Sequence, residues 1–317
     1  MQVWAVVVAG AVTLTPPAEE VSPPDTAYED QVSVGYVYVP IVVRSQKGYV
    51  SDLERKDFRL LVDGRPAEFD SFETGATAPV SILVLQDLSG SMANGGKLAG
   101  SREAVRYLLD QARPGDEFAL AWFAGEIFKI DVPFTSDQAV LREALDSWEA
   151  YGTTALQDAV AWLPRIAPDR PAVKRAALLI TDGVDNASTI EAEQARQLVR
   201  EAELPVYVLG LGARRVPTGD DAEKVQRFSD VLEVLATMTG GRYHPLSAPN
   251  EIGVACAEML EDLRHQYVLG FSLGDTGLAR DHRLEVVVAG KGKRALAFRS
   301  GYYGLDPETA ATPVQKR

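Results

Sequence analysis

Five oxygen-bearing side chains fall in three short polar loops. Asp87, Ser89 and Ser91 lie in Asp87-Leu88-Ser89-Gly90-Ser91-Met92, Thr154 lies in Tyr151-Gly152-Thr153-Thr154-Ala155-Leu156, and Asp182 lies in Thr181-Asp182-Gly183. Two carboxylates and three hydroxyls suit a hard divalent cation. Mg²⁺ or Mn²⁺ takes oxygen ligands and keeps part of its water, whereas softer metals select thiolate or imidazole. The two carboxylates balance a 2+ charge without filling every coordination position, and Gly90 and Gly152 let the backbone approach an ion closely. Taken singly, each residue has an ordinary use. Asp87, Ser89, Ser91 or Thr154 can cap a turn or helix, and Asp182-Gly183 is a common turn pair. It is their joint occurrence at three strand ends that points to a cation.

The segments around these loops say how they are held. Ser81–Gln86, Phe118–Phe123, Ala176–Ile180 and Val206–Leu211 are short apolar runs of the kind that form parallel strands buried on both faces. Leu98, Val105, Leu108, Leu109 and Ala112 share one face of a helix that stops before Pro114-Gly115. Leu156, Ala159, Val160 and Leu163 repeat the pattern up to Pro164, which ends or kinks that helix. Thr135 with Gln138, and Ser188 with Glu191, have capping-box spacing. Trp122, Trp148 and Trp162 read as packing residues, and Ala213–Phe228 as a solvated polar loop. Strands alternating with helices predict a doubly wound α/β fold with a mostly parallel sheet. In such sheets ligands bind beyond the carboxyl ends of the strands, where the three loops fall.

The flanks are β in character. Val32–Val43, Phe58–Val62 and Pro66–Phe72 precede the α/β region, with a hairpin signal at Asp63-Gly64. Gln266–Leu273, Arg283–Ala289 and Leu296–Arg299 follow it, with a turn at Gly290-Lys291-Gly292-Lys293. Neither block is long enough to bury a sheet alone. The expected organisation is therefore a smaller β-sandwich, built from residues 31–75 and 266–305, into which an α/β domain at residues 76–265 is inserted, the alternative being two separate small β appendages packed on the α/β domain. Residues 306–317 form a tail.

Residues 1–30 combine an apolar run from Val3 to Leu14 with an acidic, Pro-rich linker. The run is shorter than the ~20 residues of a membrane span. It has the character of an export signal without the basic segment that normally precedes one, the first basic residue being Arg44. The expectation is an exported chain, periplasmic or extracellular, with no transmembrane span after processing. Net charge is −13, from 32 basic and 45 acidic residues, which argues against a nucleic-acid partner. Cys256 is the single cysteine and excludes an intrachain disulfide. His244, His265 and His282 lack zinc-ligand spacing.

Asp-x-Ser-x-Ser after the first strand, a Thr before a helix, and Thr-Asp-Gly after a later strand resemble the metal-ion-dependent adhesion site of von Willebrand factor A domains. That resemblance implies that Ser89, Ser91 and Thr154 touch the metal directly, while Asp87 and Asp182 act mainly through bound water. It further implies that an Asp or Glu carboxylate from a protein partner fills the open position, and that the module adheres to its partner without catalysing a reaction. Lys56–Phe72, Gln266–Phe271 and Phe298–Gly304 are similar to the ends of bacterial von Willebrand A-related proteins of the Acidobacteria type. Together the likeness runs from about Val32 to Gly304.

Two other classes fit parts of this pattern. A Mg²⁺-dependent phosphoryl-transfer enzyme on a Rossmann-like fold also places an Asp after its first strand. The haloacid-dehalogenase kind, however, needs a second Asp where this chain has Ser89, and a receiver domain needs an acidic pair where Leu85-Gln86 stand. A structural cell-envelope protein would have no use for all five donors.

Overall fold

A run such as Val80–Asp87, buried at every residue, must be covered on both faces, and its alternating side chains divide between two cores. Ile82 and Val84 face one core, Leu83 and Leu85 the other. A computed structural model of the chain describes residues 36–74, 78–166, 174–183, 185–201, 204–212, 220–272, 281–290 and 294–303. The signal-like segment with its linker at 1–30, most of the Gly290–Lys293 turn, and the tail at 306–317 lie outside the described residues.

The first segment supplies β1 (Tyr36–Ser45), β2 (Gly48–Tyr49), β3 (Phe58–Val62), β4 (Arg65–Ala67) and β5 (Ser71–Glu73). The central segment opens with β6 (Val80–Asp87), α1 (Lys97–Asp110), β7 (Glu117–Ala124), β8 (Ile127–Thr135) and α2 (Gln138–Ser147). It continues with α3 (Leu156–Val160), α4 (Leu163–Ile166), β9 (Lys174–Thr181), α5 (Ala192–Glu201) and β10 (Val206–Leu211). It closes with α6 (Asp220–Thr239), β11 (Tyr243–Leu246) and α7 (Ile252–Arg264). Four strands follow: β12 (Tyr267–Ser272), β13 (Asp281–Val288), β14 (Ala295–Phe298) and β15 (Gly301–Tyr303).

The central sheet has the order β11-β10-β9-β6-β7-β8 and is parallel except where β8 runs against β7. Val84 of β6 lies between Leu120 of β7 and Leu178 of β9. Leu108 of α1, Leu145 of α2 and Met259 of α7 close one face. Ala159 of α3, Leu163 of α4, Val199 of α5 and Leu235 of α6 close the other. The chain moves from β6 to β7 on one side and later to β9 on the other. The carboxyl end of β6 is therefore the switch point at which such sheets hold ligands.

Several local expectations differ from the structure. The two edge strands β8 and β11 have no clear sequence signal. β8 carries Lys129, Asp131 and Pro133 on a half-exposed edge, and β11 is a four-residue strand containing His244 and Pro245; proline is tolerated at such edges. The Thr135–Gln138 box does not form. Asp137 caps α2 by accepting from the N–H of Ala139 at 2.9 Å, and Thr135 Oγ1 accepts from the N–H of Asp137 at 3.1 Å. Ser188 lies four residues before α5 and accepts instead from the N–H of Asp158 at 3.0 Å. The helical break falls between α3 and α4, ahead of Pro164, which sits in the first turn of α4, where its missing N–H is not needed. Residues 213–219 lie outside the described residues, but from Asp220 onward the expected loop is the helix α6.

The remaining strands form a five-stranded sheet, β14-β1-β12-β5 with β2 on β1, and a four-stranded sheet, β15-β13-β3-β4. Ile41 pairs with Tyr267 on one side and Phe298 on the other, and Leu60 pairs with Val286, so each sheet joins strands from before and after the α/β region. Val39, Ile41, Phe58, Leu60, Leu269 and Val286 share one core. Asp63 and Gly64, with φ of 51° and 75°, make the two-residue turn from β3 to β4 that a right-twisted hairpin favours. Pro66–Phe72 is not one strand. After Ala67 the chain leaves the four-stranded sheet, buries Phe69 and re-emerges as β5 against β12.

Just two residues separate α7 from β12, and their junction is pinned. Lys174 Nζ donates to the carbonyl of Arg264 at 3.0 Å. The Arg264 guanidinium pairs with Asp116, Nη1 to Oδ1 at 3.1 Å, and both groups are buried. Asp116 also accepts from the N–H of Val80 at 2.9 Å and of Arg113 at 2.8 Å. Among the described residues, no helix is long and apolar enough to cross a membrane.

Candidate functional site

The three loops meet at the carboxyl end of β6, joined first by backbone. The N–H of Tyr151 donates to the carbonyl of Leu88 at 2.7 Å, and the N–H of Gly90 to that of Gly152 at 3.0 Å. Gly152 has φ +75° and its carbonyl lies 3.3 Å from where a Cβ on Gly90 would sit, so both glycines serve this contact. The second and third loops are tied by Asn186. Its Oδ1 accepts from the N–H of Thr154 at 2.9 Å, and its own N–H donates to the Thr154 carbonyl at 3.0 Å. Asp185 accepts from the N–H of Gln157 at 2.8 Å. Both residues fix the loop, as their position beside Asp182 suggests.

The five expected side chains then converge. Asp87 Oδ1 accepts from the N–H of Ser89 at 2.8 Å, and its Oδ2 accepts from Thr181 Oγ1 at 2.6 Å. Ser89 Oγ and Ser91 Oγ lie 3.1 Å apart, and Ser91 Oγ donates to Asp182 Oδ1 at 2.7 Å. Thr154 Oγ1 lies 2.8 Å from where a Cβ on Gly183 would stand, so its hydroxyl rests against the residue that follows Asp182. Asp87, Ser89 and Thr154 are buried, while Ser91 is exposed and opens the cluster to solvent.

Burial pushes the Asp87 carboxyl up to about 6, against the lowering effect of its bonds from Thr181 and Ser89, and the nearby Asp182 charge adds to the rise. A buried carboxylate with this handicap is stabilised by positive charge. The donor set suits a hard cation: every side chain in it offers oxygen. Among the described residues, no group of three or more His, Cys, Asp or Glu side chains is placed to hold a metal ion.

Residues 82–184 match the von Willebrand factor type A domain family. The chain carries a von Willebrand factor A domain. An uncharacterized protein of Borreliella burgdorferi is 27% identical over 145 residues, which cover 43% of this chain and 42% of the relative, so the chain spans less than half of that relative's length. Among solved structures, the von Willebrand factor type A protein of Catenulispora acidiphila is 15% identical with a TM-score of 0.47, covering 90% of this chain and 78% of its own. BatB from Bacteroides thetaiotaomicron is 20% identical with a TM-score of 0.44, covering 57% of this chain and 99% of its own. The A domain of the type V pilus tip protein Mfa5 from Porphyromonas gingivalis is 14% identical with a TM-score of 0.46, covering 58% and 95%.

Two residues of this A domain site escaped the sequence reading. Thr181 holds Asp87 from the end of β9, a contact that depends on the pairing of β6 with β9. Lys97, the first residue of α1, forms an ion pair with Asp182 Oδ2. A lysine there sits at the positive end of the helix dipole, where a cation is unfavourable; that misplacement was the available signal. The other titratable candidates lie elsewhere. His265 stacks on Tyr49, and His282 meets Asp63 at 3.0 Å. Cys256 is buried in α7, its thiol pushed up to about 12 by desolvation. Trp148 is buried, and Trp162, though 40% exposed, packs by stacking on Phe128.

Proposed function

We propose that the A domain is a protein-binding module that holds Mg²⁺ or Mn²⁺ at the Asp87–Ser91 loop and captures an acidic side chain of a partner on that ion, without catalysis. Ser89, Ser91 and Thr154 would touch the metal; Asp87 and Asp182 would balance its charge through bound water. The observation that carries this reading is the bonded cluster of side-chain oxygens from the Asp87–Ser91 and Thr181–Asp182 loops, with Ser91 Oγ to Asp182 Oδ1 at 2.7 Å as its centre and Thr154 held beside it through Asn186. A single open position facing solvent is what a partner carboxylate needs, and hard-cation chemistry gives such a carboxylate its affinity. The export-signal character of the apolar run from Val3 to Leu14 supports a capture outside the cytoplasm.

Calorimetric titration of the full chain with MnCl₂ is expected to give one site, abolished in both Asp87→Ala and Asp182→Ala. Unchanged binding in the two variants would overturn the proposal. A pull-down from an envelope extract, run with Mg²⁺ and with EDTA, then tests the adhesive part. A partner retained in Mg²⁺ and released by EDTA is the expected result, and retention that ignores EDTA would argue against a metal bridge.

A further inference from the structure

The Asp182 side chain is fully buried and both its oxygens are engaged: Oδ1 by the Ser91 hydroxyl at 2.7 Å, Oδ2 by the Lys97 ammonium. The same ammonium lies 3.4 Å from the carbonyl of Ser91, so it reaches into the loop that supplies the hydroxyl donors. Lys97 itself is about one quarter exposed. Beside it lies a cavity of about 330 Å³ lined by Asn94, Gly95, Leu211, Gly212 and Ser247 together with Lys97 and Asp182. The lysine thus has both a buried partner and room to leave it.

A divalent ion and an ammonium cannot share one buried carboxylate without strong mutual repulsion at low effective dielectric. We propose that Lys97 is a tethered counter-ion that competes with the divalent cation for Asp182. Metal binding then moves the ammonium into the adjoining cavity, and Lys97 sets how tightly the site holds its ion. This inference rests on the reading that the Asp87–Asp182 cluster binds a divalent cation. Neither the position of Lys97 at the start of α1 nor its charge serves the helix, since the dipole there repels a cation; the pairing with Asp182 is what the charge does.

The test uses the full chain as wild type, Lys97→Met and Asp182→Ala, with two readouts: Mn²⁺ affinity by calorimetry, and thermal melting in EDTA. Lys97→Met should bind Mn²⁺ more tightly by about tenfold or more, because a competing, partly buried ion pair is removed. In EDTA it should melt below the wild type, because Asp182 loses its counter-charge, and it should recover more than the wild type when Mn²⁺ is added. Lys97→Gln, which keeps a donor toward Asp182 without charge, should show the same order of affinities if the methionine variant does not fold. Equal or weaker Mn²⁺ binding in both Lys97 variants, with wild-type binding intact and lost in Asp182→Ala, would overturn the inference and leave the metal-binding reading standing. Binding that appears in the Lys97 variants but not in the wild type would support it. Failure of all forms to bind Mn²⁺ would overturn both.

Discussion

Asp87 and Asp182 are held by different means although they serve one cluster. Asp87 ends a strand buried on both faces and accepts from Thr181 and from the N–H of Ser89; Asp182 is met by a hydroxyl and an ammonium. Thr154 has no such bond to either carboxylate among those described; its backbone is tied by Asn186 and its side chain is positioned by packing. Its hydroxyl lies against the bare Cα of Gly183, 2.8 Å from any Cβ placed there. Gly183→Ala should therefore displace Thr154 and weaken Mn²⁺ binding by about tenfold, with melting close to wild type, as titration of the purified variant would show. A variant that binds as tightly as wild type would remove Thr154 from the site. The five candidate residues could be picked out because each motif is local: two or three residues at a strand end carry their own spacing. Thr181 and Lys97 were not, because their roles depend on the pairing of β6 with β9 and on which way the first turn of α1 faces the third loop.

At the scale of elements, long apolar runs announced themselves and short or half-exposed ones did not. β6, β7, β9 and β10 carry unbroken hydrophobic stretches; β8 and β11 mix charge, histidine and proline on sheet edges, where covering is incomplete and pattern weak. Helix starts shifted for a related reason: Asp137 outcompetes Thr135 as a cap once β8 runs through to Thr135. The element junction most open to measurement joins β6, β7 and α7 through Asp116 and Arg264. Burial acts to raise the Asp116 carboxyl, but the Arg264 guanidinium and the N–H groups of Arg113 and Val80 outweigh it and hold it below the ordinary range. The folded state therefore binds this proton less readily than the unfolded chain. Its stabilising contribution is complete above the ordinary carboxylate pKa of about 3.9 and is lost as pH falls through the lower folded value. Asp116→Asn should cost about 3–5 kcal/mol at neutral pH, because Arg264 is left buried without its counter-charge. Urea denaturation should also show a smaller further loss below about pH 4 than in the wild type. Equal acid sensitivity of the two proteins would remove Asp116 from the account.

Across the whole molecule, the β sheets and the α/β layer are bound by polar bridges as well as by covalent connection. The N–H of Ser300 donates to the carbonyl of Met238 at 3.1 Å, Arg299 Nη2 to that of Arg200 at 2.8 Å, and Tyr49 to Asp262 Oδ1 at 2.8 Å. The described residues from Tyr36 to Tyr303 belong to one unit by their contacts. Calorimetric melting should accordingly give one transition with matching van't Hoff and calorimetric enthalpies. Two resolved peaks would mean that these bridges do not couple the layers. The pairing of strands on either side of the α/β region could be argued from sequence on stability grounds alone, since neither block buries a sheet. The crossing of residues 66–72 from one sheet to the other could not, because it turns on where Phe69 is buried.

In the β5–β12 ladder Glu73 stands opposite Val268. The chain leaves for the α/β region and returns from it at neighbouring positions of the same pair of strands. A pull applied between Tyr36 and Gly301 is then borne by the hydrogen-bonded strands around β1 and β12, and the stretch between residues 74 and 267 hangs from the line of tension as a closed loop. A load taken at the candidate ion-binding face reaches those strands through the chain at residues 74 and 267 and through the Ser300, Arg299 and Tyr49 bridges.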